Sequence, residues 1–346
     1  MGTDRKYYID NLRSFTILFL FPYHIFRLYN GLSEGWYIQG EHLLIPDQFI
    51  RISNLWMMQL LFTVAGISVR YALERRSAGE FAKERVSKLL LPFIFGMLLV
   101  VPVQPYIAGI IHNGHAGYFD FFTKLTDFTG YDGAFTPGHL WFLLFLFAFS
   151  LIYLPFLILY KKKGKGTLAD KVPLILIILM GLIPCIVQMD VFEPLEPDGK
   201  SPLEFSAYFL LGYFFLSNNN LLKKLDKHRF LLLGSFILYT AFMFFILDGE
   251  FYEVACWLAI LTILGMGRHY LDFRGKITSY LAKSSFGVYI FHQSWIVVAA
   301  FFVFKIADNP AVQMPLIFLS AISLTYLTYE ICKRVGALRW MFGIKK

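Results

Sequence analysis

A histidine inside an apolar run is the residue of this chain best suited to chemistry. His24 follows Arg13 by eleven residues, a rise of ~16 Å along a helix. A neutral imidazole in a desolvated site can act as a general base toward a hydroxyl group. Ionisable groups at membrane depth are costly and usually functional. Two structural alternatives stay open, a hydrogen bond between helices for His24 and an interface anchor for Arg13.

A second histidine ends the apolar sequence SSFGVYIFH. Ser285, Tyr289 and His292 fall on one helical face, at spacings of four and three. Two buried histidines in one bundle favour a shared cavity, in which Tyr289 and His292 are candidate hydrogen-bond donors for an oxyanion. The alternative is a face that hydrogen-bonds to another helix.

His139 and Trp141 open another apolar run and form a candidate acceptor site. Aromatic rings stack on sugars, and a neighbouring histidine can position a hydroxyl group. An aromatic belt at the membrane interface explains the same residues.

Arg85 and Lys88 are three residues apart, so they share one helical face. Two cations suit the phosphate groups of a soluble nucleotide-bearing donor. A topology signal that also contacts anionic lipid is the alternative. Further along the chain, Glu330 is expected to pair with Arg13 or Arg85.

The composition indicates that membrane helices must position these residues. The chain has 346 residues, of which 57% are hydrophobic and 16% charged, and its mean hydropathy is +0.56. A soluble domain carries about a quarter charged residues. We therefore predict an all-α, polytopic transmembrane helix bundle that forms a single domain over residues 1–346. Ten apolar spans are predicted, at 14–33, 49–69, 89–111, 139–160, 172–189, 203–217, 230–247, 251–267, 284–305 and 311–332.

The positive charges alternate between the segments that connect these spans. Of the 32 Lys and Arg residues, 27 lie in one set of segments, and the other set holds the remaining five. The positive-inside rule then places both termini in the cytoplasm. This distribution accounts for the net charge of +8 without a nucleic-acid partner. Membrane lipid is an expected partner, with Lys161–Lys163 as a contact.

Several catalytic motifs are missing from the sequence. It contains no Walker-type loop, Rossmann glycine fingerprint or His-Glu-x-x-His zinc helix, and no Gly-x-Ser-x-Gly elbow. Neither coupling to ATP hydrolysis nor hydrolase chemistry is supported, and no metal is expected.

Six segments in order resemble the bacterial acyltransferase-3 family of integral membrane O-acyltransferases. They are YYIDNLRSFTILFLFPYHIF, KERVSKLLLPFIFG, GHLWFLLFLF, FSAYFLLGYFF, SSFGVYIFHQSWI and YEICKRVGALRWMFGIKK. The resemblance spans almost the whole chain. The last segment is most similar to the branch that includes the glucan biosynthesis protein C type, which succinylates periplasmic glucans.

The resemblance implies acyl transfer across the bacterial cytoplasmic (inner) membrane. The donor is a cytosolic acyl-CoA, either acetyl-CoA or succinyl-CoA, and the acceptor is a hydroxyl group of an envelope or periplasmic glycan. His24 matches the family's catalytic histidine, as base or acyl carrier, and Arg13 matches the preceding arginine. Arg85 and Lys88 match a paired-arginine motif for the donor, and Arg13 is a third candidate to hold its phosphates. Lys88 cannot form the bidentate contact of an arginine.

Two other functions are compatible with the same residues. One is a membrane transporter or export partner for an envelope polysaccharide, which would not bind CoA. The other is a non-catalytic scaffold, in which His24, His292 and Arg13 would tolerate apolar substitution. The sequence leaves open the acyl group, the acceptor sugar and the oligomeric state, with a homo-oligomer as one option.

Overall fold

A computed structural model describes residues 6–31, 37–115, 117–125, 128–131, 133–162, 172–188 and 200–345, among which there is no β-strand. The prediction of an all-α fold is therefore confirmed for these residues. Two π-helical turns, at Val86–Leu90 and Gly212–Leu216, and one 3₁₀ turn, at Gly138–Leu140, interrupt the described α-helices. The α-helices are α1 (Tyr7–Arg27), α2 (Leu44–Asn54), α3 (Met57–Arg75), α4 (Ala78–Arg85), α5 (Leu91–Leu99), α6 (Val103–Asn113), α7 (Asp120–Thr123), α8 (Trp141–Ile152), α9 (Leu154–Lys162), α10 (Leu174–Leu179), α11 (Leu182–Val187), α12 (Pro202–Leu211), α13 (Asn219–Lys227), α14 (Arg229–Ile246), α15 (Tyr252–Tyr270), α16 (Lys276–Val303), α17 (Pro310–Arg334) and α18 (Gly336–Met341).

Five helical stretches of the described chain are long and apolar enough to cross a membrane, and a bent pair brings the number to six. The five are Leu44–Arg75, Ala78–Asn113, Arg229–Ile246, Lys276–Val303 and Pro310–Arg334, and the bent pair is Gly138–Ile152 with Leu154–Lys161.

Helices also occupy the other four predicted spans, but these helices are not long and apolar enough to count as membrane-spanning candidates. Leu174–Val187 and Pro202–Leu216 are shorter apolar helices. Charged residues interrupt the other two, three of them in α1 and two in α15. Ten spans and the cytoplasmic placement of both termini stay predictions.

The candidate spans differ in how much of their surface the protein covers. In α16, 72% of the most apolar stretch is buried, whereas only 11% is buried in α14. Apolar side chains such as Leu238 and Phe245 of α14 are largely exposed. Because lipid tails solvate such a surface, α14 suits a peripheral, lipid-facing helix, while α16 suits the protein interior.

The chain forms two compact units, each assembled from several segments. The first unit comprises Met1–Arg13, Ser53–Lys83 and Ala148–Ser279. The second comprises Ser14–Ile52, Glu84–Phe147 and Tyr280–Lys346. The prediction of a single domain over 1–346 stays a prediction.

Two glycines let helices of the first unit approach closely. A Cβ atom on Gly66 of α3 would lie 2.0 Å from the carbonyl oxygen of Phe209. A Cβ atom on Gly212 would lie 2.3 Å from the carbonyl oxygen of Thr63. Small residues at such contacts are the usual means of close packing between membrane helices.

Several contacts of the first unit join segments for which the charge pattern predicts a cytosolic position. The Lys6 ammonium donates a hydrogen bond to the Tyr71 hydroxyl group. Arg268 donates to Asn219 at 3.0 Å. The Lys161 ammonium donates to the Leu73 carbonyl, while Lys163 and the side chain of Lys162 lie outside the described residues. These contacts bring together segments that the charge pattern predicts on one side of the membrane.

In the second unit, Gly287 of α16 lies against α17, where an added Cβ atom would be 2.6 Å from the Tyr329 ring.

The prediction that Glu330 pairs with Arg13 or Arg85 was wrong. Its carboxylate pairs within α17, with Lys333 at 3.2 Å and Arg334 at 3.9 Å. Both partners lie within one helical turn of Glu330. The helix backbone already holds the three side chains close together, so little conformational entropy is lost when they pair.

Candidate functional site

Three histidine rings lie side by side in the second unit. The ring centroid of His292 is 5.2 Å from that of His24 and 5.1 Å from that of His139. His24 comes from α1, His139 from the 3₁₀ turn before α8, and His292 from the middle of α16. The sequence is thus folded so that three separate apolar runs contribute one imidazole each to the same place. We refer to His24, His139 and His292 as the histidine cluster.

The three rings differ in accessibility. His139 and His292 are buried, and His292 has no exposed surface at all. His24 is only partly buried. Within the cluster, His24 is therefore the residue with the most exposed surface, although its Nδ1 is buried.

The hydrogen bonds of His292 define which of its nitrogens carries a proton. Nδ1 lies 2.7 Å from the carbonyl oxygen of Tyr289, which can only accept. The neutral ring therefore carries its proton on Nδ1 and a lone pair on Nε2. Nε2 is buried without a hydrogen-bond partner among the described residues. A buried acceptor left without a donor is costly, so Nε2 is well placed to receive a proton or a hydrogen bond during a reaction.

His139 is held from both sides. Its Nε2 lies 2.9 Å from the carbonyl oxygen of Ile290, so Nε2 is the donor and Nδ1 the acceptor. Nδ1 lies 3.4 Å from the amide nitrogen of Gln104. Both ring nitrogens are thereby occupied, which fixes the orientation and tautomer of His139.

Gln104 belongs to a buried amide network that the sequence analysis missed. Its Nε2 donates to Ser294 Oγ at 2.7 Å, and its Oε1 accepts from the Gln293 amide at 2.9 Å. Ser294 Oγ in turn donates to the Val100 carbonyl at 2.8 Å. An uncharged amide within an apolar run was the available signal, because such a group must find partners inside the protein.

Tyr289 also lies at the histidine cluster, with its ring centroid 5.7 Å from that of His139. Its hydroxyl group donates to the carbonyl oxygen of His139, so Tyr289 supports the turn that carries His139.

Trp141 is the other predicted acceptor-binding residue. Its ring packs edge-on against Phe145 of the same helix, with 5.2 Å between ring centroids.

Arg13 lies in the first unit, on the same helix as His24. Its guanidinium forms an ion pair with Asp10, one turn earlier. The predicted catalytic and donor-binding roles of Arg13 stay predictions.

The two predicted donor-binding cations lie at the start of an irregular turn and inside it. Arg85 ends α4 and lies 3.5 Å from Glu84, whereas Lys88 sits within the π-helical turn Val86–Leu90. The Lys88 ammonium donates to the carbonyl oxygen of Gly343 at 2.8 Å. π-Helical turns are rare and frequently occur at functional sites.

No group of His, Cys, Asp and Glu side chains in the described chain has the geometry of a metal site. The histidine cluster illustrates why, because His139 uses both ring nitrogens and His292 uses Nδ1 for hydrogen bonds. Too few lone pairs remain for the tetrahedral set that a metal such as zinc requires.

Comparison with known proteins gives one family for this chain. The model of the acyltransferase-3 family, described as an acyltransferase domain, matches residues 6–330. No solved structure matches the chain.

Curated relatives align over nearly the full length. Glucans biosynthesis protein C of Salmonella paratyphi B (strain ATCC BAA-1250 / SPB7) is 22% identical over 384 aligned positions, which cover 99% of this chain and 95% of the relative. The protein of the same name from Salmonella paratyphi A (strain ATCC 9150 / SARB42) is 20% identical with the same coverage. Because the family model covers most of the chain, the protein belongs to the acyltransferase-3 family of membrane O-acyltransferases.

Proposed function

We propose that this protein transfers an acyl group from a cytosolic acyl-CoA to a hydroxyl group of an envelope or periplasmic glycan, in the bacterial inner membrane. The observation that carries the proposal is the position of the partly exposed residue His24, whose ring centroid lies 5.2 Å from that of the buried His292. The glycan acceptor is supported by the full-length similarity to glucans biosynthesis protein C. Membership of an acyltransferase family favours an enzyme over a transporter or a scaffold.

In the direct route, His24 takes the proton from the acceptor hydroxyl as its oxygen attacks the thioester carbonyl carbon. The tetrahedral intermediate then collapses, the carbon–sulfur bond breaks, and the CoA thiolate leaves. The proton on the His24 imidazolium returns to the thiolate. Atoms and charge balance without a metal or a redox partner.

In the two-step route, a His24 nitrogen attacks the thioester carbonyl carbon, the carbon–sulfur bond breaks, and the CoA thiolate leaves with the proton of the His24 ring. The acceptor hydroxyl oxygen then attacks the acyl carbon, and the carbon–nitrogen bond to His24 breaks. A neighbouring base must then take the proton of the attacking hydroxyl, since the His24 nitrogen is acylated. Nε2 of His292 has the required lone pair and lies within the same cluster. In the two-step route His292 is therefore the proton acceptor, and the proton then passes to the released His24 nitrogen.

The oxyanion roles predicted for Tyr289 and His292 require a rearrangement. The Tyr289 hydroxyl and the His292 Nδ1–H both donate to backbone carbonyls. Each bond would have to break before the group could donate to an oxyanion. We assign His292 instead to accepting a proton, for which its present hydrogen bond prepares it.

The test uses purified protein in lipid nanodiscs with acetyl-CoA or succinyl-CoA labelled in the acyl group, and a periplasmic glucan as acceptor. The expected result is label in the glucan, with release of one CoA thiol for each acyl group transferred. Absence of transfer from either donor, with no CoA binding detectable by calorimetry, would overturn the proposed donor.

A further inference from the structure

The ammonium group of Lys88 forms a hydrogen bond with Gly343, which lies 255 residues further along the chain. It donates to the carbonyl oxygen of Gly343 at 2.8 Å. An ammonium group has three donors, so Lys88 keeps two for other acceptors. The segment 336–345, which contains Gly343, thus forms one wall of the region around the predicted donor-binding residues.

Packing, and not the Lys88 contact alone, holds this segment in place. Phe342 and Ile344 are buried on either side of Gly343, and the Phe342 ring lies 4.9 Å from that of Phe291. Gly343 has a φ of +60°, and a Cβ atom there would lie 2.9 Å from Pro92. The backbone at Gly343 therefore has little freedom, which fixes where the next residues emerge.

Lys345 emerges from this buried anchor as an exposed residue. Lys345 is two residues from Gly343, whose carbonyl oxygen accepts from Lys88 at 2.8 Å, and Arg85 lies three residues before Lys88. Glu84 lies 3.5 Å from Arg85. Among the described residues, Arg85, Lys88 and Lys345 give this region a positive charge that favours the binding of an anion.

We propose that Lys345 completes, with Arg85 and Lys88, a site for the phosphate groups of the acyl donor. The inference rests on the proposed function, because it takes acyl-CoA as the donor. CoA carries a diphosphate and a ribose phosphate, so it presents several anionic groups to one site. Lysine at position 88 cannot make the bidentate phosphate contact of an arginine, and Lys345 supplies an additional point charge.

The experiment compares wild-type protein with Lys345→Gln, Lys345→Arg and Lys333→Gln in nanodiscs of phosphatidylcholine. CoA and pantetheine, which lacks the nucleotide phosphates, are the two calorimetric probes. Lys333→Gln removes the same charge from a residue that is paired with Glu330. Because Lys345 is exposed, its replacement should leave folding unchanged.

Loss of a charge-assisted contact should weaken CoA binding by about tenfold in Lys345→Gln. Binding should persist in Lys345→Arg and Lys333→Gln, and pantetheine binding should be the same in all four proteins. Unchanged CoA affinity in Lys345→Gln would overturn the inference while leaving the proposed function intact. No CoA binding by wild-type protein would overturn both.

A second set of nanodiscs that contain phosphatidylglycerol separates a lipid headgroup from the donor. Donor binding predicts that the difference between wild type and Lys345→Gln persists in both membranes. If the variant changes affinity for the anionic lipid and leaves CoA affinity unchanged, Lys345 binds lipid and the inference is wrong.

Discussion

The ring of His292 lies beside that of His24, with 5.2 Å between their centroids and 44° between their planes. His24 is partly accessible and His292 is not. The relationship resembles other catalytic pairs in which one group meets the substrate and a second group orients it or receives its proton.

This pairing predicts how replacement of His292 affects the reaction. His292→Asn should lower kcat by roughly 10²-fold with little change in KM for the donor, because a proton acceptor is lost. The double variant His24→Ala/His292→Asn should be no slower than His24→Ala alone, since residues that act as a unit are not additive. Multiplicative losses in steady-state kinetics would contradict a shared role.

Gln104 is predicted to orient His139. Gln104→Leu leaves His139, Gln293 and Ser294 each without one hydrogen-bond partner. We expect a loss of about 1–3 kcal/mol in the free energy of unfolding, together with reduced acyl transfer per folded molecule.

The matched control for Gln104 is Gln313, another buried glutamine of the second unit. Its side chain bonds to the Tyr29 hydroxyl and the Ala307 carbonyl, away from the histidine cluster. Gln313→Leu should lower stability to a similar extent but leave transfer per folded molecule unchanged. Equal loss of transfer in both variants would indicate a general effect of destabilisation.

The close helix contact at Gly66 gives a prediction for stability. Gly66→Ala places a methyl group 2.0 Å from the Phe209 carbonyl oxygen, so α3 or α12 must move. Overpacking of this kind costs about 1–3 kcal/mol or more, which should be visible as a lower midpoint of thermal unfolding in nanodiscs. Gly234→Ala is the control, because nothing lies within 4 Å of an added Cβ atom there. Equal midpoints for the two variants would contradict the packing described for the first unit.

Lys6 provides a pH-dependent prediction. Burial, followed by the nearby positive charge of Arg268, lowers the pKa of Lys6 from 10.5 to about 8. Since the pKa of the folded state is the lower one, the charged ammonium disfavours the folded state. Stability should therefore fall as the pH decreases from about 10.5 to about 8 and then level off.

Amine labelling of Lys6 measures this titration directly. Half-maximal reactivity is expected near pH 8. Arg268→Gln should move the midpoint upward, because it removes a repulsive charge. A wild-type midpoint near 10.5 would contradict the burial of Lys6.

The sequence sufficed for the all-helical class because apolar runs dominate it. The number of spans was harder to derive. The Tyr7–Arg27 helix carries Asp10, Arg13 and His24 among its apolar residues, and such polar groups lower its hydropathy below that of an ordinary span. A helix with a functional polar face therefore weakens the signal that identifies it as a membrane helix.

The site was partly visible in the sequence for a related reason. Ionisable residues in apolar runs are conspicuous, so His24, His139 and His292 were all candidates before their positions were known. Gln104 was not a candidate, because its partners His139 and Ser294 come from distant parts of the chain. Spacing along one helix contains no information about such contacts.

For Glu330, the sequence-based prediction overlooked a partner on the same helix. A distant arginine was expected as its partner, but Lys333 lies one turn away and pairs with it at 3.2 Å. Neighbours on the same helix compete well with distant partners, because the backbone already holds them close together.

The central claim is that His24 carries the chemistry, and the most direct measurement is acyl transfer by His24→Ala. Wild-type and variant protein, matched for folding and for CoA affinity, are supplied with labelled acyl-CoA and glucan. The account predicts that the variant binds CoA normally but transfers the acyl group roughly 10²- to 10⁴-fold more slowly. Equal rates of glucan acylation by the two proteins would contradict it.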